Sequence, residues 1–156
     1  MADNPSKDFF IIWVTWTNWK TTVVNLLHKI LNDNVAPTVA ISTAAIKIWD
    51  VEMENKKKMT SLDCFDLQDL LTTAKENWCR IAVLETSSQW LDQYRFEWIN
   101  FDFAVLTNIT QDHLDYHKTM EAYFNAKSLL FQRYLNYAKS RGKNVPASLK
   151  SGDLKL

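Results

Sequence analysis

Residues 8–33 read DFFIIWVTWTNWKTTVVNLLHKILND and contain three pieces in order. DFFIIWVT (8–15) is an almost continuous apolar run, the mark of a strand buried on both faces. WTNWK is a polar loop interrupted by indoles. TTVVNLLHKILND then spaces Val23, Leu27 and Ile30 at i, i+4 and i+7, which predicts an amphipathic helix. A buried strand that turns directly into a helix is the opening unit of a parallel α/β sheet.

Working outward, the same alternation repeats. TVAIST (38–43) reads as a second strand, and IKIWDVEM (46–53) as an excursion or hairpin. A second helix carries Leu67, Leu70, Leu71 and Ala74 on one stripe. RIAVLET (80–86) and FDFAVLTNI (101–109) are further buried strands. From Thr119, an N-cap residue followed by Glu121, a helix places Tyr123, Ala126, Leu130, Tyr134 and Tyr137 on one face. The expected fold class is α/β, a P-loop-type parallel sheet with crossover helices. Such a sheet binds ligands beyond the carboxyl ends of its strands.

Composition narrows the function classes. The chain has 156 residues, 47% apolar and 23% charged, which suits a folded core. Eighteen basic and eighteen acidic residues cancel, so there is no bulk electrostatic pull toward nucleic acid or an anionic membrane. The longest apolar run, Phe9 to Val14, is far short of the ~18 residues of a spanning helix. Cys64 and Cys79 form no metal or disulfide pattern, and the start of the chain shows no secretory signal, so a cytoplasmic location is expected. One count is abnormal. Ordinary usage of about 7% would give roughly eleven glycines; the chain has two glycines and seven tryptophans.

Three segments carry chemistry. In VTWTNWKTT (14–22) a strand passes into a helix at Lys20-Thr21. Amides at a helix start hold phosphate oxygens, a lysine reaches the terminal phosphates, and the next hydroxyl can ligate magnesium. The glycines that normally let such a loop wrap phosphate are absent, and Trp16 and Trp19 stand there instead. Glu85 ends a buried strand, where a carboxylate can hold a metal; alone it reads equally well as a solvated strand-end acid. QDHLDYH (111–117) packs two aspartates and two histidines into seven residues. On a helix His113 and His117 would face the same way, and one imidazole is a tolerable addition to oxygen ligands for magnesium. The alternative for the run alone is a capping aspartate with surface histidines, and Lys127 alone reads as a snorkelling surface lysine.

Taken in order, these segments resemble the central ATP-binding domain of the Mur ligases, and within that family the MurE type. The likeness runs from about Asp8 to Phe131. It rests on TWTNWKTT (15–22) against the family's TGTNGKTT, on LETSSQWLDQYR (84–95) against E-x-S-S-H-x-L-x-Q-x-R, and on LTNITQDHLDYH (106–117) followed by NAK (125–127). Leu62 and Gln89 depart from the proline and histidine usual at their positions.

The resemblance implies an ATP-dependent amide ligase that joins an amino acid to a UDP-N-acetylmuramoyl-peptide through an acyl phosphate, with ATP and Mg2+ as cofactors. It implies ATP binding by Thr15, Trp16, Thr17, Asn18, Trp19, Lys20, Thr21 and Thr22. Thr21 and Glu85 would hold one magnesium, and His113 with a carbamylated Lys127 a second. Thr60 and Ser61 of TSLD (60–63), with Ser87, Gln93 and Arg95, would contact the muramoyl-peptide. It further implies that residues 8–138 are part of a central domain and 139–156 a polar tail. The family's N- and C-terminal domains would lie elsewhere, such as on other chains. Related readings are a folylpolyglutamate- or cyanophycin-type ligase, and a non-catalytic remnant if the tryptophans are genuine. All seven, at 13, 16, 19, 49, 78, 90 and 98, fall where such a sequence has or accepts glycine, as if UGA codons read as glycine had been written as tryptophan.

Overall fold

The computed structural model describes residues 4–15, 17, 19–57, 60–95, 99, 101–106 and 114–140, with side chains described to residue 133. After a 3-10 turn at Pro5–Asp8 the elements are β1 (Phe10–Thr15), α1 (Lys20–Asn34), β2 (Thr38–Ile41), β3 (Ala45–Ile48), β4 (Val51–Glu54) and α2 (Cys64–Glu76). They continue as β5 (Ile81–Glu85), α3 (Ser88–Asp92), β6 (Phe103–Leu106), α4 (Leu114–His117) and α5 (Met120–Ser140).

One six-stranded sheet has the order β4-β3-β2-β5-β1-β6. Strands β2, β5, β1 and β6 are parallel, as the apolar runs predict, with Val14 opposite both Glu85 and Val105. The segment 46–53 resolves as a hairpin: β3 and β4 add two antiparallel strands at one edge. The sheet is therefore mixed, with its parallel part at the centre and its solvated hairpin outside. Burial tracks this difference, since β5 is buried throughout and β4 is exposed throughout.

Alternation along β1 explains why its sequence is apolar at every position. Ile11 and Trp13 face a core built with Leu67, Leu71 and Ala74 of α2, Leu91 of α3 and Leu130 of α5. Ile12 and Val14 face the other side, where Val24, with Val23, Leu27 and Leu31, brings α1 onto the sheet. Each fully buried aliphatic side chain contributes about 1.5–3 kcal/mol. The expected α1 stripe is corrected at one position. Ile30 is exposed, because Val24, Leu27 and Leu31 set the inward line and Ile30 falls on its flank. In α2, Asp63 caps the first turn by accepting from Asp66 N at 2.9 Å, which holds its carboxyl below the ordinary carboxylate range. Thr119 caps α5 as expected, its hydroxyl accepting from Ala122 N at 3.1 Å. Tyr123, Ala126 and Leu130 are buried, while Tyr134 and Tyr137 lie beyond the described side chains.

Candidate active site

The parallel strands direct their carboxyl ends to one rim, and the polar residues there form a connected network around Glu85. Its carboxylate is not solvated as a strand-end acid would be; the residue is 4% exposed. One oxygen accepts from Thr21 Oγ1 at 3.1 Å and from Thr43 N at 2.9 Å; the other accepts from Thr43 Oγ1 at 3.1 Å. Thr21 reaches it from the first turn of α1 and Thr43 from the exit of β2. The Thr43 hydroxyl also bonds to Thr60 Oγ1 at 2.9 Å, which ties in the TSLD loop. Ser61 bonds to Glu85 O and accepts from Ser87 N at 3.0 Å. Thr15 closes the other side through Thr86 O at 3.0 Å.

Lys20 is the first residue of α1, and its ammonium donates to Thr17 O at 3.1 Å, folding back over the loop between β1 and the helix. The N-cap position belongs to Trp19, whose φ of 70° is left-handed and whose side chain makes no capping bond. Its indole is 72% exposed. Thr22 is on the other side of the helix and lines a surface groove with Asn25, Lys29 and Asp33 beneath the β3–β4 hairpin. Trp16 and Asn18 lie outside the described residues.

A second polar line runs through α5. Lys127 is only 1% exposed, which corrects its isolated reading as a snorkelling surface lysine. Its ammonium sits 4.5 Å from the centre of the Tyr123 ring. The Tyr123 hydroxyl in turn lies 3.0 Å from Thr17 Oγ1, so α5 is joined to the loop after β1. His117 packs its ring 5.4 Å from Tyr123 and shares a 2.9 Å hydrogen bond with Ser88 Oγ. It is buried, not a surface histidine. His113 lies outside the described residues.

Of the other expected contacts, Ser87 caps α3 by accepting from Trp90 N at 3.2 Å. Gln93 is exposed and donates to Tyr116 OH at 3.4 Å. Arg95 lines a separate cleft of about 860 Å³ with Asn4, Asp63, Phe65 and Tyr94. Thr43, Tyr123 and Ser88 escape a motif reading. Thr43 and Tyr123 are linked to Glu85 and Thr17 only through contacts 42 and 106 residues apart. The hydroxyl of Thr43 at the end of a strand was the one available signal.

Among the described residues no three His, Cys, Asp or Glu side chains converge. The donors at the rim are therefore one carboxylate and threonine hydroxyls. That oxygen set suits magnesium, which is commonly held by one or two carboxylates together with substrate phosphates and water.

Comparison with known proteins identifies the family. Residues 14–140 match the Mur ligase middle domain. Among similar proteins is the UDP-N-acetylmuramoyl-L-alanyl-D-glutamate--2,6-diaminopimelate ligase of Synechococcus elongatus, 44% identical over 129 residues, covering 83% of this chain and 26% of that enzyme. The Bacillus cereus enzyme of the same name is 40% identical over 140 residues, covering 89% and 28%. A solved structure of a ligase of that name superposes with a TM-score of 0.70 at 29% identity, over 85% of this chain and 30% of the other. The chain thus spans little more than a quarter of the length of these relatives. Within that span, the chain belongs to the Mur ligase family.

Proposed function

We propose that this chain supplies the nucleotide- and metal-binding part of an ATP-dependent ligase that adds an amino acid to a UDP-N-acetylmuramoyl-peptide in the cytoplasm. The observation that carries the reading is the Thr21–Glu85 hydrogen bond at 3.1 Å. It joins the start of the phosphate-facing helix to the end of the neighbouring strand, where a nucleotide–magnesium complex would sit. The family membership and the names of the relatives supply the reaction class. Residues 8–138 correspond to part of the central domain in this reading, and 139–156 to a tail.

Each residue then has a physical task. Amides at the start of α1 and the Lys20 ammonium receive the β- and γ-phosphates, Lys20 giving up its bond to Thr17 O. Thr21 and Glu85 are the oxygen donors for magnesium, which when bound neutralises phosphate charge. A substrate carboxylate attacks the γ-phosphate, breaking the β–γ anhydride and releasing ADP to give an acyl phosphate. The incoming amine then adds to the acyl carbon, loses a proton and displaces phosphate. Thr60, Ser61, Ser87, Gln93 and Arg95 are the proposed contacts to the muramoyl-peptide. Thr15, Thr17 and Asn18, with glycine in place of Trp16 and Trp19, complete the ATP loop.

Lys127 is assigned, with His113, to a second magnesium after carbamylation. A buried ammonium beside a cation is repulsive, whereas a carbamate is an anionic oxygen donor. The test replaces the matching part of the Synechococcus enzyme by this segment, with glycine at positions 16, 19, 49 and 78. Lys127→Ala in that chimera should abolish ligation while leaving ATP binding intact, and short carboxylates should restore part of the activity. Ligation at the unsubstituted rate would refute the assignment.

A further inference from the structure

Among the described residues five non-glycine positions take positive φ: Trp19 at 70°, Trp49 at 54°, Trp78 at 65°, Tyr94 at 54° and Lys118 at 65°. Positive φ is uncommon outside glycine, and for a bulky side chain it is an outlier. Three of the five are tryptophans, although tryptophan supplies only seven of 156 residues. The two glycines, Gly142 and Gly152, stand near the end of the chain, so the sheet and all its turns are built without one.

Each of the three tryptophans occupies a different backbone motif that calls for glycine. Trp78 follows the end of α2 as the left-handed residue of a Schellman turn. Cys79 N donates to Ala74 O at 3.0 Å and Trp78 N to Lys75 O at 3.0 Å, the paired bonds that define that motif. Trp49 is the first of the two residues that connect β3 and β4, and positive φ at that place is met by glycine in tight hairpins. Trp19 is the N-cap of α1, where serine, threonine, aspartate, asparagine or glycine is favoured and an indole offers no acceptor. The side chains are not needed for packing at 19 and 78, being 72% and 70% exposed, and Trp49 is 44% exposed.

Tyr94 shows that one aromatic residue can occupy such a turn, since it ends α3 with the same pair of bonds, to Leu91 O and Trp90 O. A single case is therefore tolerable. Three left-handed positions in unrelated motifs, filled by the same rare residue in a chain depleted of the one residue that takes positive φ without penalty, call for a common cause.

We infer that positions 19, 49 and 78 are glycine in the polypeptide the cell makes, their codons being UGA decoded by a glycyl-tRNA. This rests on backbone geometry and composition, and it stands or falls independently of the ligase reading. Trp13 and Trp90 differ: neither has positive φ, and they pack against each other at 4.6 Å in the core, so geometry does not extend the inference to them.

The decisive experiment reads the three codons in the gene and the masses of the peptides spanning 19, 49 and 78 in protein isolated from its own cells. UGA codons with glycine peptides are expected. A UGG codon at any of the three, or UGA codons with tryptophan peptides, overturns the inference. A second measurement compares melting temperatures of the chain with tryptophan at these positions and of the W19G/W49G/W78G variant. The glycine variant should melt about 5 °C or more higher, from relief of three left-handed sites. An equal or lower value counts against it, and if the tryptophan chain does not fold at all, a folded glycine variant bears the inference out.

Discussion

Two neighbouring parts of the rim are built to different standards. Around Glu85, side chains from α1, β2, the TSLD loop and β5 satisfy one another: Thr21, Thr43 and Thr60 form a continuous chain of bonds. At the loop after β1, the helix begins on a left-handed tryptophan that caps nothing. Both lie at the carboxyl ends of adjacent strands and carry the same family motifs. The difference teaches that side-chain chemistry and backbone permission are separate requirements. In the proposed reading lysine, threonine and glutamate serve phosphate and metal, yet the position that would let the backbone approach a ligand closely holds an indole.

The comparison is broken most strongly at its ordered side. Glu85→Ala removes the acceptor of three hydrogen bonds, from Thr21 Oγ1, Thr43 N and Thr43 Oγ1. Bonds to a charged group are worth about 1.5–3 kcal/mol and the freed donors are only partly wet, so a loss of about 1–3 kcal/mol in unfolding free energy is expected by urea titration. A change below a few tenths would mean the network holds the metal site without holding the fold. A smaller effect is expected of Thr43→Val, which keeps the backbone bond to Glu85 but deletes the hydroxyl bonds to Glu85 and Thr60. It should cost about 1 kcal/mol, read in the same titration. A cost equal to that of Glu85→Ala would show that Thr43 alone organises the rim.

What was legible in the sequence follows from the same distinction. Strands β1, β2, β5 and β6 were readable because burial on both faces demands unbroken apolar runs, and Thr21 and Glu85 because their spacing to those runs is local. The stripe of α2 was readable for the reason that helical periodicity is local. The edge hairpin is ambiguous in the sequence, since IKIWDVEM has no turn glycine to announce it. Thr43 and Tyr123 are not readable as site-builders, nor is Ser88 as the partner of His117, because sheet order and helix docking bring Glu85 to Thr43, Thr17 to Tyr123 and Ser88 to His117. Lys127 looked like a surface lysine by pattern alone, because nothing local reveals that Tyr123 and the packing of α5 bury it. Trp13 and Trp90 carried a glycine expectation, yet the structure seats them together with Phe101 in the main core.

We propose that this segment is a nucleotide site whose loop, as the sequence is written, is obstructed by tryptophan. Calorimetry with Mg-ATP tests this, on the chain as written and on the variant with glycine at 16 and 19, each first confirmed as folded by circular dichroism. The account predicts no measurable binding to the first and restored binding to the second, abolished again by adding Lys20→Ala. Tight binding by the tryptophan chain, or none by a folded glycine variant, would contradict it.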